Sequence, residues 1–398
     1  MKNKIGIMYD NISGNTGDAA IGISLKKMMK ELKVDFEEVL LNDISSFKYN
    51  TVIIGGGHLI RENSDFFYDK FKLRGRNILN AVGVVGNPKD LYYLRDYKYV
   101  TFRSTGDMKK AQYTGKESSV VPCTTMLLED LKGSFPIEIK KPSIGIHLIP
   151  NLFSGEEEEI LIEWISKLPY NIYFIPITHY NYDYNYMYKL SKRIANATIL
   201  PIMKPLEVFT VMGKFNYVIT CSLHGSIFSY IHNVPFILMD QEKSRFFLED
   251  RNLQANLFGN LEEMINLSEA MLNKPLDYSK LISKDKKILD NHMKTIKELI
   301  PGNGVSLINE NNKNCETTQL NMQNSILQNN MNKLICELEQ YKINLGNANH
   351  ELNKCRKKSL YYQNSLYKIH NSRGWKFLKR LYSIEDFVMK KVKTIFWC

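Results

Sequence analysis

The sequence predicts an α/β protein of two tandem doubly wound domains with a long C-terminal extension, and three observations predict it. Short apolar runs alternate with longer amphipathic stretches through residues 4–240, the pattern of buried parallel strands joined by crossover helices. A polar stretch at 129–141 (EDLKGSFPIEIKK), with Gly133, Pro136 and the adjoining Pro142, interrupts that alternation, and a second strand–helix series follows it. Beyond Pro301-Gly302-Asn303-Gly304 the chain turns Asn- and Gln-rich and the alternation ends.

The elements follow in order. Lys4–Tyr9 reads as a strand, Asp10–Asp18 as a Gly/Asn-rich loop, and Ala19–Leu32 as a helix with Ile21, Leu25, Met28, Met29 and Leu32 on one face. Asp35–Leu41 reads as a strand, and Thr51–Ile54 as another that ends in Gly55-Gly56-Gly57-His58. Further strands are expected near Ala81–Val85, Tyr99–Phe102 and Ser119–Pro122. In the second series the strands are Ser143–Ile149, Asn171–Pro176 and Thr198–Leu200, and the helices Glu156–Ser166, Tyr186–Ala195 and Pro205–Met212. The strand Tyr217–Thr220 then runs into Cys221-Ser222-Leu223-His224-Gly225 and a helix over Ser226–His232. Asn233-Val234-Pro235 breaks that helix before a last strand, Phe236–Met239. The expected domains are Rossmann-like, 1–132 and 141–300, and such a tandem resembles a GT-B-like architecture with its ligand cleft between the domains.

The extension divides in two. Residues 305–370 form a polar linker and a coiled-coil seam, with Leu327, Met331, Leu334, Leu338, Tyr341, Leu345, Ala348, Leu352 and Cys355 stepping by fours and threes. A single solvated helix is the plainer alternative. Residues 372–398 interleave Trp375, Phe377, Leu378 and Leu381 with Lys376, Lys379 and Arg380, a basic amphipathic helix suited to an anionic membrane surface or a partner protein.

Composition narrows the function classes. The 398 residues are 44% hydrophobic and 24% charged, ordinary for a soluble protein. The apolar run at Tyr217–Met239 is broken by His224, His232, Asn233 and Pro235, which makes it core and not a membrane span. A strand at Lys4 leaves no room for a signal peptide. The six cysteines show neither metal-ligand spacing nor a dense disulfide framework, which favours a reducing cytoplasm. The net charge of +11 lies mostly in the tail, where from residue 301 onward 15 Lys/Arg stand against 7 Asp/Glu. No nucleic-acid module accompanies it, and no nucleic-acid partner is expected.

Three loops fall at the carboxyl ends of strands, where open α/β sheets bind ligands. In Ser13-Gly14-Asn15-Thr16-Gly17-Asp18 the glycines permit close backbone approach and the amides suit an anion; helix capping by Asp18 is the simpler reading. The glycines of Gly55-Gly56-Gly57-His58 admit a ligand, or tight strand–helix packing, and His58 reads as a surface histidine. In Ser222-Leu223-His224-Gly225 an imidazole and a glycine meet a helix start whose unpaired N–H groups point at any bound anion. A buried histidine at an ordinary βα turn fits as well. Lys243 and Arg245 stand nearby in sequence, and Arg103-Ser104 follows the strand Tyr99–Phe102 at the same edge. For His179, Asp183 and Glu207 a capping or surface role is at least as good as catalysis. No Ser-His-Asp order, Walker loop or zinc spacing is present, and neither metal nor cofactor is expected.

These residues, in this order, resemble the polysaccharide pyruvyl transferase family. Gly14-Asn15-Thr16-Gly17-Asp18 with Ala20-Ile21 is similar to its G-N-x-G-D-x-A-I pattern, Gly55-Gly56-Gly57 to its glycine loop, and Arg103-Ser104 to its Arg/Ser motif. Leu223-His224-Gly225, Ile227-Phe228, Val234-Pro235 and Lys243 are similar to its L-H-G signature and the lysine beyond it. The resemblance covers residues 4–260. It implies transfer of the enolpyruvyl skeleton of phosphoenolpyruvate to a sugar of a cell-surface glycan, with ketal formation and phosphate release. His224 would contact the phosphate or act as acid, and Asp18 would orient or deprotonate an acceptor hydroxyl. Gly14, Asn15, Gly17, Gly56, Gly57, Arg103, Ser222, Gly225, Lys243 and Arg245 would bind substrate. Two departures stand out: Ser222 where the family often has Arg, and Cys123-Thr124 where many members carry Asp. The expected partners are phosphoenolpyruvate and a glycan acceptor, with coiled-coil self-association and peripheral contact on the inner membrane face. A GT-B glycosyltransferase using a nucleotide sugar, and a non-catalytic scaffold of a glycan-assembly complex, are the competing readings.

Overall fold

The computed structural model describes residues 4–10, 15–39, 49–61, 66–73, 75–132, 137–178 and 182–300, together with Gly374. The coiled-coil seam, the basic segment apart from Gly374, Gly14 and His179 lie outside the described residues. Both sheets below belong to one compact unit, Met1–Gln319.

The first sheet holds β1 (Ile5–Met8), β2 (Phe36–Glu38), β3 (Thr51–Gly55), β4 (Gly75–Val82), β5 (Tyr97–Phe102) and β6 (Ser119–Val120), all parallel, in the order β2-β1-β3-β4-β5-β6. The second holds β7 (Ser143–His147), β8 (Asn171–Phe174), β9 (Ala197–Ile199), β10 (Tyr217–Thr220), β11 (Phe236–Met239) and β12 (Leu257–Phe258), in the order β12-β11-β10-β7-β8-β9. Strands β1, β3, β7 and β10 are buried at every residue, as parallel strands covered on both faces must be. The direction of sheet growth reverses beside β1 and β3 in one sheet and between β7 and β10 in the other. Crevices outside the carboxyl ends of strands at such reversals are the ligand sites of open α/β sheets. The loops after β1, β3 and β10 therefore occupy the two places the topology favours.

The helices are α1 (Thr16–Glu31), α2 (Phe66–Asp69), α3 (Thr105–Ala111), α4 (Gly155–Lys167), α5 (Asp183–Ser191), α6 (Pro205–Met212), α7 (Leu223–Ile231), α8 (Glu242–Glu249), α9 (Leu261–Asn273) and α10 (Ser279–Leu299). One apolar cluster runs from Ile21, Leu25 and Met28 of α1 through Met126 to Val208, Met212 and Phe228 of α6 and α7. A continuous apolar junction of this kind fixes two lobes against each other, where a polar one would let them hinge. Helix α10 also ties the lobes. It follows the second sheet, yet His292 Nε2 lies 2.6 Å from Asn80 Oδ1 of β4 and its ring stacks on Tyr99 of β5. Asp285 of α10 receives Arg251, beyond α8.

Several elements differ from the sequence reading. Helix α1 starts at Thr16 because Asn15, and not Asp18, is its cap: Asn15 Oδ1 accepts from Gly17 N at 2.9 Å. Helix α7 starts at Leu223, which puts His224 and Gly225 inside its first turn. Strand β4 begins at Gly75, earlier than the apolar run near Ala81–Val85 suggests. The elements after Met239 had no counterpart in the sequence reading.

Candidate active site

Helix α1 is wedged between the sheets by its first turn. Thr16 N–H donates to Ile177 O beyond β8, and Asn15 forms a β-bridge with Thr178. A Cβ at Gly17 would overlap the His224 ring, so only glycine lets this loop of the first lobe touch the imidazole of the second. Next to it Asp18 meets Gly57. That glycine has φ +74°, and a Cβ there would lie 2.7 Å from Asp18 Oδ1, so the position demands glycine twice over. The third loop supplies His224, 7% exposed, whose Nε2 faces Cys123 Sγ at 3.9 Å. The imidazole is thus buried, and Cys123, which lines the pocket described below, stands beside its Nε2.

Arg103 and Lys243 complete the arrangement from opposite lobes. Arg103 Nε donates to Asp107 Oδ2 at 3.2 Å, while its buried Nη2 has no hydrogen-bond partner among the described residues. Gly83, where a Cβ would overlap the guanidinium, lets that side chain through. Lys243 lies on α8. Arg103, Lys243, Cys123, Leu223, Ile227 and Phe247 surround a space of about 260 Å³, part of it open to solvent. Arg251 also reaches this wall, but its donors are spent on Asp285 and the Phe247 carbonyl. Helices α3 and α8 hold Arg103 and Lys243 in register. Asp250 Oδ2 accepts from Thr105 N at 2.9 Å, Lys110 pairs with Glu242 at 2.6 Å, and the ring of Phe246 fills the place of a Cβ on Gly106.

The electrostatics follow from burial and from that pair. Desolvation, then the Asp10 carboxylate, push the Asp18 carboxyl up to about 7 despite Arg103 and Lys243. Desolvation, then Arg103 and Lys243, press His224 down to about 3. His58 is held well below its ordinary value by burial and by Arg103, Lys243, Arg61 and Lys110. Burial lowers the Lys243 ammonium, with Arg103 adding to it. Positive charge thus stands over two neutral imidazoles and a carboxyl that holds its proton to neutrality. An anion is the complement this pocket calls for.

The structure brings together Asn15, Gly17, Asp18, Gly57, Arg103, His224 and Lys243. It separates Arg245, whose side chain is half exposed and whose Nε bonds Asp240 at 2.6 Å. Ser222 caps α7, its Oγ accepting from Gly225 N at 3.3 Å, which takes one helix-end N–H away from any ligand. Gly225 packs on Thr220, and Gly56, at φ +55°, on Ile21. Asp183 is a buried anchor that accepts from His147 Nε2 at 3.1 Å and from the N–H groups of Ile177 and Thr178. Glu207 accepts from the N–H of Lys204 at the start of α6. His58 is not the surface histidine its sequence context suggests, because it shares the field of Arg103 and Lys243. Phe247 escaped the sequence reading, and Cys123 was noted only as a departure from the family pattern: a lone thiol and a phenylalanine carry no local signature of a pocket wall. Among the described residues no cluster of three or more His, Cys, Asp or Glu could hold a metal ion, and no helix is long and apolar enough to cross a membrane.

Fold and site together define a two-sheet α/β protein with a cationic pocket at the junction of its lobes. A family model described as polysaccharide pyruvyl transferase matches residues 15–243, and the chain belongs to that family. No curated protein matches the chain. Among solved structures, UDP-GlcNAc 2-epimerase from Methanocaldococcus jannaschii is 16% identical, over 69% of this chain and 94% of that one, at a TM-score of 0.45. A putative UDP-N-acetylglucosamine 2-epimerase from Listeria monocytogenes is 10% identical over 78% and 100%, at 0.49. A mutant O-GlcNAc transferase from Thermobaculum terrenum is 12% identical over 74% and 64%, at 0.35.

Proposed function

We propose that the protein transfers the pyruvyl group of phosphoenolpyruvate to two hydroxyls of one sugar in a cell-surface glycan or its precursor, closing a ketal and releasing phosphate. The observation that carries this reading is the buried Arg103 Nη2, without a hydrogen-bond partner among the described residues, in a pocket that Lys243 also lines, the two cations acting electrostatically on Asp18 and His224. A donor with a phosphate and a carboxylate supplies the missing anion.

Chemically, the methylene carbon of the donor must gain a proton, the central carbon must gain two sugar oxygens and lose the phosphate oxygen, and two hydroxyl protons must leave. Asp18, protonated up to about pH 7, is placed to give the first proton. His224, neutral in the empty pocket, is placed to accept one from an attacking hydroxyl. Once the phosphate offsets Arg103 and Lys243, the imidazole can hold that proton and pass it to the departing phosphate, while the Asp18 carboxylate left by the first transfer takes the proton of the second hydroxyl. This reverses the acid and base roles the family resemblance implies. The electrostatic field of the pocket supports the reversal.

His224→Gln is expected to abolish phosphate release from phosphoenolpyruvate with the circular dichroism spectrum unchanged, and retained release removes His224 from the mechanism. Thermal stabilisation by nucleotide sugars but not by phosphoenolpyruvate would overturn the donor. The basic segment 372–398 is proposed to hold the enzyme on the inner membrane face. Its deletion should move the protein to the soluble fraction, and an unchanged distribution refutes that role.

A further inference from the structure

We propose that the exposed face of α5 is a subsite for the acceptor glycan, with the rings of Tyr182, Tyr184 and Tyr188 stacking on successive sugar units. The proposal rests on the transferase reading above. Three observations carry it.

The first is the surface itself. Tyr182 is 71% exposed and adopts a left-handed backbone, φ 62° and ψ 29°, which is costly for a bulky residue. Tyr184 and Tyr188 lie one turn apart with centroids at 6.1 Å and planes at 16°, and Lys192 Nζ sits 4.8 Å above the Tyr188 ring. Helix α5 turns Asp183, Met187 and Leu190 into the core. These tyrosines are not needed there.

The second is position. Helix α5 leaves the carboxyl end of β8, where Ile177 and Thr178 touch Thr16 and Asn15 at the start of α1. Asp183, the first residue of α5, fixes that link through the N–H groups of Ile177 and Thr178. Tyr182 follows Thr178, which bridges Asn15, by four residues in sequence, beyond the end of β8 at Phe174. The other exposed aromatic pair, Tyr92 and Tyr113, is 50% and 41% exposed, and Tyr92 precedes β5, at the end of that strand away from Arg103.

The third is the size of the occupant. The proposed donor is a three-carbon molecule, and the proposed reaction needs only one sugar at Asp18 and His224. The rest of a polysaccharide must run along the rim. Aromatic faces bury the C–H faces of pyranose rings and leave the sugar hydroxyls in water, and Tyr adds its own hydroxyl at small entropic cost.

The test uses the full chain, the triple variant Tyr182→Ala/Tyr184→Ala/Tyr188→Ala, its Phe counterpart, and Tyr92→Ala/Tyr113→Ala as control. Each is probed on an array of bacterial oligosaccharides of increasing length and by thermal shift with phosphoenolpyruvate. The wild type should bind at least one series with affinity that grows with length. The Ala triple variant should lose about 10-fold or more on that series, while the Phe variant and the control keep it and all four keep the shift with phosphoenolpyruvate. Unchanged glycan affinity in the Ala variant, equal loss in the control, or no length-dependent binding by the wild type overturns the subsite. Glycan binding that depends on the tyrosines, in a protein indifferent to phosphoenolpyruvate, would leave the platform standing and sink the donor assignment.

Discussion

Asp18→Asn separates the stability of this site from its chemistry. The carboxyl is half-buried in the first turn of α1, and it is pushed up to about 7 by burial and by Asp10. In the unfolded chain it titrates near 3.8. The folded state therefore binds more protons than the unfolded state between those values. Below about pH 3.8 Asp18 costs nothing. As pH rises toward 7 the cost grows by about 1.36 kcal/mol per unit, then levels off. The full shift corresponds to about 4 kcal/mol, an upper value because solvent reaches the half-buried group. Asparagine has nearly the same shape and no charge to bury. The variant should thus be more stable than wild type by about 2–4 kcal/mol at pH 8 and by less than about 2 kcal/mol at pH 5. Urea denaturation of both proteins at the two pH values measures the difference, and phosphate release measures the chemistry. Lost turnover with a gain that grows with pH is the expected pair. A variant equally stable or weaker at pH 8 would show that the carboxyl is already comfortable as an anion, and the proton-donor role would fall with it.

Binding phosphoenolpyruvate or inorganic phosphate should draw protons from solution near pH 6, because the anion cancels the Arg103 and Lys243 charges that depress His224 and His58. Titration calorimetry in buffers of different ionisation enthalpy reads this, and a buffer-independent heat refutes it. Arg103→Lys keeps the charge but loses the fork that carries Nη2. It should raise KM for the donor by about 10–100-fold, the worth of one charge-assisted hydrogen bond, and an unchanged KM would move the phosphate elsewhere. His292, buried on β4 and β5, is pressed down to about 4 by desolvation. Its contribution is complete above about pH 6.5 and is lost as pH falls toward 4, by up to about 3 kcal/mol. His292→Gln should flatten the acid limb of the stability profile relative to wild type, and parallel limbs would contradict the shift. Gly17→Ala, which drives a methyl group into the His224 ring, should destabilise by about 1–3 kcal/mol and remove activity. Wild-type activity would mean that the loop and the imidazole do not meet.

The doubly wound fold was legible because parallel strands are buried on both faces and leave continuous apolar runs. Tyr217–Thr220, Phe236–Met239 and Pro205–Met212 were read to the residue. Strand β4 was misplaced because Gly75, Arg76 and Asn77 open it with polar or exposed positions, and Asn77 is spent on Val52 N and Leu73 O. The glycine loops were legible as places of close approach, but not what approaches. Gly17 answers to a histidine about two hundred residues away in sequence, Gly57 to Asp18, and Gly83 to Arg103. Capping was the plainer alternative to a functional role for Asp18, and the geometry gives the cap to Asn15, which leaves the Asp18 carboxyl out of that work. Arg245 was grouped with Lys243 by proximity in sequence, and helix α8 turns the two apart, one to the pocket and one to Asp240.

The two departures from the family pattern are linked through α7. An Arg at position 222 could not cap the helix, whereas Ser222 does, and its bond to Gly225 N stabilises the turn that carries His224. An Asp at position 123 would put a carboxylate near His224 Nε2 and favour the imidazolium. Cys123 puts there a thiol whose own ionisation burial opposes. With neither group present, burial and then Arg103 and Lys243 hold His224 neutral. Ser222→Arg alone should therefore depress His224 further and weaken its grip on a hydroxyl proton. Cys123→Asp alone should lift the imidazole pKa and shift the acid limb of the rate profile upward in pH. If both single variants leave that limb where it is in wild type, His224 is not the group that titrates in catalysis.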